Sequence, residues 1–308
     1  MARSVTAIDL GSNTFRAVVL ACDTLEKRAE YEKIVRTADG LVETGRISDA
    51  AVERIVAAAR EAAEKIGFDG TVRAVTTEAI RQAENTAEVL RKIRDATGID
   101  FEIIDGESEA RYTLLAVRHR LQKLALSSEC FVMVDIGGGS TEILFVEGER
   151  VKSKSFPVGI VTIAQRYGTL EKIEKALGEE MAQMRLFVEA CRREGFCSEP
   201  FVATAGTPTT VAAMMLGMEY ATYDAKRING TVVTRADLHT QLQRLLGLDE
   251  EARRRLVGVG REDLIAAGIL IFAHIYRILG TESAIVVDDG LREGVAIAEC
   301  RRLMHRNI

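Results

Sequence analysis

Short apolar runs rich in β-branched residues alternate along this chain with longer segments whose apolar positions recur every three or four residues. The first kind, at Thr6–Leu10, Phe15–Leu20, Thr71–Val75 and Phe101–Ile104, has the length and composition of buried strands. A charged stretch from Asp23 to Lys33 leads into a further strand of the same sheet. The second kind begins at Ser48, a hydroxyl cap, and places Val52, Ile55, Val56, Ala59, Ala63 and Ile66 on one helical face before Gly67. Residues 76–85 read as a loop entering a second helix, which stops at Gly98. A third helix follows Asp105 through Leu114, Val117 and Leu121. Residues 124–129 carry no pattern and connect to a second half of the same design. There, strands at Phe131–Ile136, Ile143–Phe145 and Val151–Phe156, a strand, glycine turn and helix over Pro200–Met214, and a last strand and turn over Ser283–Gly294 are joined by helices to about Arg193, at Arg235–Leu246 and at Asp263–Leu279. A last helix runs from Val295 to about Met304. Strands alternating with helices and bracketed by hairpins predict an α/β architecture.

Two of the predicted hairpins are copies of each other. In the first, Ile8-Asp9-Leu10-Gly11 passes through Ser12, Asn13 and Thr14 into Phe15-Arg16 and a second apolar run. In the other, Val134-Asp135-Ile136-Gly137 passes through Gly138, Gly139 and Ser140 into Thr141-Glu142 and its own apolar run. Glycines let a backbone approach a ligand closely and turn its N–H groups toward it, which suits a phosphate oxygen. The plain alternative is a turn whose glycines serve only the turn. A unit that recurs once, more than a hundred residues later, implies a duplicated domain with two phosphate-facing turns across a cleft. The predicted domains are 1–124 and 125–308, with the final helix 295–308 able to pack back on the first.

With 308 residues there is material for two cores, and 47% hydrophobic with 28% charged residues is the balance of a globular protein. The formal net charge of −5 argues against a nucleic-acid or membrane-surface binder, so a polyanionic substrate needs a local basic groove. Cys22, Cys130, Cys191, Cys197 and Cys300 are odd in number and contain no Cys-x-x-Cys, so neither a disulfide framework nor a zinc site is expected. A reducing cytoplasm fits that usage, and no apolar run is long enough to span a bilayer.

Candidate chemistry gathers at the strand ends. Asp135 and Glu142 flank the triple-glycine turn and are placed to hold a metal ion or a water. Asp9 stands where Asp135 does in the other copy. Ser12, Asn13, Thr14, Ser140 and Thr141 offer hydroxyl or amide groups to a ligand, and Gly206 opens another strand–glycine–helix turn. Arg16, Arg81, Arg261 and Arg292 lie within or beside such turns and are candidate phosphate clamps. Glu107 and Glu109 sit where a loop becomes a helix. Carboxylates are stabilised there in any case, and the functional reading makes one of them a general base for water. There is no Walker loop, dinucleotide fingerprint or His-Glu-x-x-His.

These motifs in this order resemble the exopolyphosphatase / guanosine pentaphosphate phosphohydrolase (Ppx/GppA) family. The matching stretches are Ala7–Arg16, Thr77-Glu78-Ala79-Ile80-Arg81, Ile104–Arg111, Val134–Glu142, Ala205-Gly206-Thr207, Arg261-Glu262-Asp263 and Asp289–Gly294. The resemblance implies a duplicated actin-like (ribonuclease H-like) two-domain ATPase fold with an interdomain active-site cleft. It implies removal of the terminal phosphate of inorganic polyphosphate, or of the 5′ γ-phosphate of guanosine pentaphosphate, with Mg²⁺ or another divalent cation. Glu109, the glutamate before Ala-Arg, matches the family's catalytic base, and Glu142 its second carboxylate. Asp135 matches the metal-linked aspartate, with Asp9 equivalent to it. Asn13, Arg16 and Gly137–Thr141 match phosphate-binding positions, and Arg81 and Arg261 follow less tightly.

Asp105 stands where the family commonly has serine, adding a charge near Glu109 that could raise its pKa. The chain resembles the family's short form, without the helical domain that extends the polyphosphate channel in long members. A homodimer is compatible with the sequence. The competing readings are a kinase or ATPase of the actin–hexokinase–heat-shock superfamily, which the Glu109 motif disfavours, and a non-catalytic sensor of guanosine tetra- or pentaphosphate.

Overall fold

A computed structural model describes residues 3–68, 70–262 and 264–305. Asp263, where the helix to Leu279 was expected to open, and 306–308, the tail of the expected final helix, lie outside the described residues. The chain divides into two compact units, one of residues 1–116 with 290–308 and the other of 117–289.

The first unit is built on a five-stranded sheet of β1 (Ser4–Leu10), β2 (Thr14–Ala21), β3 (Lys27–Ile34), β4 (Thr71–Thr76) and β5 (Phe101–Ile103) in the order β3-β2-β1-β4-β5. β1 and β2 form the first hairpin, and β4 and β5 add in parallel. The second unit repeats the plan with β6 (Cys130–Ile136), β7 (Thr141–Glu147), β8 (Arg150–Phe156), β9 (Phe201–Thr204), β10 (Val232–Thr234) and β11 (Ser283–Val286). Its order is β10-β11-β9-β6-β7-β8, the same arrangement with β10 added antiparallel at one edge. The duplication read from two turns therefore extends to whole sheets, in the α/β plan expected from the sequence.

Helices form where the caps predicted them. Ser48 accepts from the Ala51 N–H and the helix Asp49–Ile66 ends on Gly67 at φ 63. The stretch read as a loop after β4 contains a further short helix, Glu78–Gln82. The helix Leu291–His305 starts four residues before its predicted place at Val295. Glu293 is the reason: its carboxylate accepts the Gly290 N–H at 2.9 Å and so caps a turn whose polar residues looked like loop.

That helix lies on the first sheet. Leu291, Val295, Ala296, Ile297 and Cys300 share a core with Val5, Ala7, Val18, Leu20 and Val75. Gly294 is needed there, since a Cβ would lie 1.8 Å from the Tyr112 carbonyl oxygen. Arg292, considered above as a phosphate clamp, is instead buried in an ion network. It meets Glu293 at 2.7 Å, Glu30 at 2.8 Å and the Tyr31 carbonyl at 3.4 Å. Lys27 meets Glu293 from the other side at 3.0 Å.

The cysteine expectation was wrong. Cys22 pairs with Cys300, and Cys130 with Cys197, leaving Cys191 as the buried free thiol. The first pair is separated by 278 residues yet brings its Cα atoms to 4.9 Å, because the terminal helix crosses the end of β2. Cysteine spacing thus carries no argument for a reducing compartment here. No helix among the described residues is long and apolar enough to cross a membrane.

Three measurements check these features. Alkylating the denatured, unreduced protein should modify Cys191 alone, and prior reduction should raise the count to the chain's five cysteines by mass spectrometry. Burial alone would raise the Glu293 carboxyl, but Arg292 and Lys27 reverse this and hold it well below the carboxylate range. A lowered folded-state pKa adds stability above the unfolded value, near 4.3, and loses it as pH falls toward the folded one. The melting temperature should therefore drop on acidification below about pH 4.5. Arg292→Met, which strips a buried carboxylate of its main partner, should cost about 3 kcal/mol at neutral pH in a denaturant titration.

Candidate active site

The two hairpin turns have one construction. Gly11 donates to the Thr14 carbonyl at 3.0 Å, and Gly137 to the Ser140 carbonyl at 2.9 Å, closing turns of equal length. Register then makes Asp9 face Arg16 across β1–β2 and Asp135 face Glu142 across β6–β7. Partners directly opposite in an antiparallel pair project on one face, so each turn carries two charged side chains at its mouth. In the first copy they are an acid and a base; in the second, two acids.

The carbonyls of the glycine turn are turned inward. The Gly137 oxygen accepts the Ile160 N–H at 3.1 Å, and the Gly138 oxygen accepts the N–H of Val161 at 2.8 Å and of Thr162 at 3.4 Å. The Gly139 oxygen accepts the Thr162 hydroxyl at 3.3 Å. These donors belong to the first turn of the helix Ile160–Tyr167, whose N–H groups have no partner within the helix. In a planar trans peptide the N–H points opposite to its C=O. The amides of Gly138, Gly139 and Ser140 therefore face away from that helix, a row of donors of the kind that receives an anion. The first turn does the same with fewer groups. The Ser12 oxygen accepts from Ala38 at 2.8 Å and the Asn13 oxygen from Val35 and Arg36 at 2.9 and 3.0 Å, which turns the amides of Asn13 and Thr14 outward.

Gly159 makes this packing possible. A Cβ there would lie 2.3 Å from the Gly138 oxygen and 2.4 Å from the Gly139 carbonyl carbon. Neither Gly159 nor Thr162 stands out in the sequence, because the contact joins two backbones more than twenty residues apart.

Glu142 is 1% and Asp135 9% exposed. The hydroxyls expected to reach a phosphate have other duties: Ser140 donates to Glu142 Oε1 at 2.8 Å, and Thr141 to the Val158 carbonyl at 2.5 Å. Beside Asp135, β9 places Thr204, whose hydroxyl donates to the Asp289 carbonyl at 3.0 Å. The chain then turns sharply at Ala205 (φ 72), a left-handed conformation unusual for alanine, and Gly206 opens the helix to Met215. Arg261, in the turn before the helix Ile265–Leu279, holds its guanidinium 5.9 Å from the Tyr220 ring centroid.

In the first unit the general-base candidate sits at the same end of the sheet as its turn. Thr76 donates from its hydroxyl to the Leu10 carbonyl at 2.8 Å, and the Ile104 N–H donates to the Thr76 carbonyl at 3.0 Å. This brings the start of the helix Gly106–Lys123 to the carboxyl ends of β1, β4 and β5, where open α/β sheets bind ligands. Glu107 is exposed there, whereas Glu109 is half-buried with Oε2 closed off from water. Asp105 caps this helix through the Ser108 N–H at 2.8 Å, and that bond chiefly holds its carboxyl below the ordinary range. Arg81 donates to the Ile104 carbonyl at 2.6 Å and pairs with Glu78, so it braces this segment. Arg16 pairs with Glu32 at 3.0 Å.

Among the described residues no three His, Cys, Asp or Glu side chains form a ready metal cage. Mg²⁺ does not need one, since it binds through one or two carboxylates together with water and substrate phosphates. The neighbouring carboxylates of Asp135 and Glu142, hard oxygen donors on one sheet face, fit that habit.

Known proteins carry the same pattern. The model of the Ppx/GppA phosphatase family matches residues 23–303. The chain is 30% identical to exopolyphosphatase 2 of Mycobacterium tuberculosis over 96% of its own length and 98% of that protein's. It is 28% identical to a guanosine-5′-triphosphate,3′-diphosphate pyrophosphatase of Photobacterium profundum, of which it spans 60%. The crystal structure of the Aquifex aeolicus Ppx/GppA family member superposes with a TM-score of 0.75 at 30% identity, over 99% of both chains.

Gly159→Ala should push the glycine turn out of place. An ångström of misplacement costs on the order of 100-fold in rate, so steady-state phosphate release should fall by about that much. Overpacking alone lowers stability by about 1–3 kcal/mol, which thermal melts will read separately.

Proposed function

The chain belongs to the Ppx/GppA phosphatase family, and from that membership we propose that it is an exopolyphosphatase, hydrolysing the terminal phosphoanhydride of inorganic polyphosphate and releasing orthophosphate. The observation that carries the reading is the triple-glycine turn, whose outward amides stand beside the paired carboxylates Asp135 and Glu142. Phosphoryl transfer asks a protein mainly for an aligned nucleophile and for donors fixed around the phosphoryl oxygens. Fixed amides serve the second need without reorganising during the reaction.

In this reading each turn offers groups suited to a phosphoanhydride. In the first unit Glu109 is the group to accept a proton from an attacking water, and in the second the amides of Gly138, Gly139 and Ser140 are the donors for a phosphoryl group. At the first unit's own turn Asn13 and Thr14 offer amides, and Arg16, steadied by Glu32, offers a cation to phosphoryl charge. Arg81 acts indirectly, fixing the segment that leads to Glu109. Asp135 and Glu142 would hold Mg²⁺, with Asp9 the equivalent acid of the first turn; the ion supplies positive charge against the phosphoryl oxygens. Guanosine pentaphosphate presents the same terminal anhydride and is the second substrate to test.

Phosphate release from long polyphosphate, tripolyphosphate and guanosine pentaphosphate, measured side by side with and without Mg²⁺, decides among these. The expected pattern is Mg²⁺-dependent release, fastest from polyphosphate. Glu109→Gln and Glu142→Gln should each lower kcat at least about 100-fold while circular dichroism stays native. Full activity in Glu109→Gln removes it as the base. Tight binding of guanosine pentaphosphate without turnover by the wild type identifies a sensor instead.

A further inference from the structure

Strand β8 adds a side chain to the acid row that no motif marks. Ser155 stands directly opposite Glu142 in the β7–β8 ladder, as Glu142 stands opposite Asp135 in β6–β7. All three therefore project on one sheet face. The Ser155 hydroxyl donates to Glu142 Oε1 at 2.6 Å, and Ser140 donates to the same oxygen at 2.8 Å. A glutamate's terminal torsion is soft, and two donors converging on one oxygen fix it. The two donors differ in their supports. Ser140 belongs to the turn that receives substrate, whereas Ser155 is set in a regular ladder.

The internal duplicate gives an independent view of the same position. In the first unit the residue opposite Arg16 is Glu32 on β3, and the two are paired at 3.0 Å. Each copy thus uses its third strand to orient the charged side chain at the mouth of its turn. An acid serves where that side chain is a cation, and a hydroxyl donor where it is a carboxylate.

We propose that Ser155 is a positioning residue for anhydride hydrolysis, acting through Glu142 by holding Oε1 from the sheet side. The proposal rests on the role given to Glu142 above, and the experiment separates the two. Outer partners of a reactive carboxylate typically matter 10- to 100-fold, so Ser155→Ala should lower kcat by about that factor, with KM for polyphosphate nearly unchanged. Ser155→Thr, which keeps the hydroxyl, should recover most of the rate. Ser155→Val, of the same shape as threonine and equally suited to a strand, should not, and this pair holds even if the alanine variant folds poorly. In crystals of the valine variant the Glu142 carboxylate should leave its place beside Asp135. Equal kcat in the threonine and valine variants, or an unmoved carboxylate in the valine crystal, overturns the assignment of Ser155. Full activity in Glu142→Gln overturns the reading beneath it.

Discussion

Everything at the second turn follows from where three carbonyls point. A peptide group has two ends, and binding one end fixes the direction of the other. By anchoring the carbonyls of Gly137, Gly138 and Gly139 on the helix Ile160–Tyr167 and on Thr162, the fold converts a flexible glycine run into an oriented set of donors. The glycines at 137–139 are usually credited with freedom of conformation in such turns. None of them uses the left-handed region here. At Gly137 the value is the absence of bulk: a Cβ would come within 2.9 Å of the Ser140 oxygen.

Duplication supplies the second organising fact. Two sheets of the same order end in two turns of the same length, each backed by the segment that follows its third strand. What has diverged is the charge at the mouth. Arg16 with Asp9 in one copy and Glu142 with Asp135 in the other occupy matching register positions. A terminal phosphoanhydride needs both kinds of surface: cationic or amide donors for its oxygens, and carboxylates for a metal ion and for water. One ancestral turn, copied, could be specialised in each direction without rebuilding the fold.

The sequence was legible wherever a feature is local. Apolar runs became strands, Ser48 and Gly67 bounded a helix, and Asp-x-Gly marked both turns. It failed where two distant segments meet. Cys22 and Cys300 could not be paired from spacing, and Gly159 reads as an ordinary turn residue until its backbone is laid against Gly138. Arg292 looked like a clamp because it follows an acid–glycine turn, yet Glu30, brought in by β3, takes it into the core. Ser155 was discoverable in principle: once β7 and β8 are paired in register, it must face Glu142.

Charge explains why so much of the site is backbone. The chain carries a formal −5, and the arginines near the turns are already matched, Arg16 with Glu32 and Arg81 with Glu78. A paired arginine keeps its geometry but projects little field beyond the pair, so it cannot draw a polyanion from a distance. Amides carry no net charge and act only at contact, where a water-poor pocket strengthens them. In the proposed site a phosphoryl group is met by shape and direction, and the substrate's bulk charge is left to the proposed cation. Buried carboxylates beside the turn would be a liability for anion binding on their own. Of the two, Glu142 is held in one orientation by Ser140 and Ser155, as a carboxylate proposed to carry a cation must be.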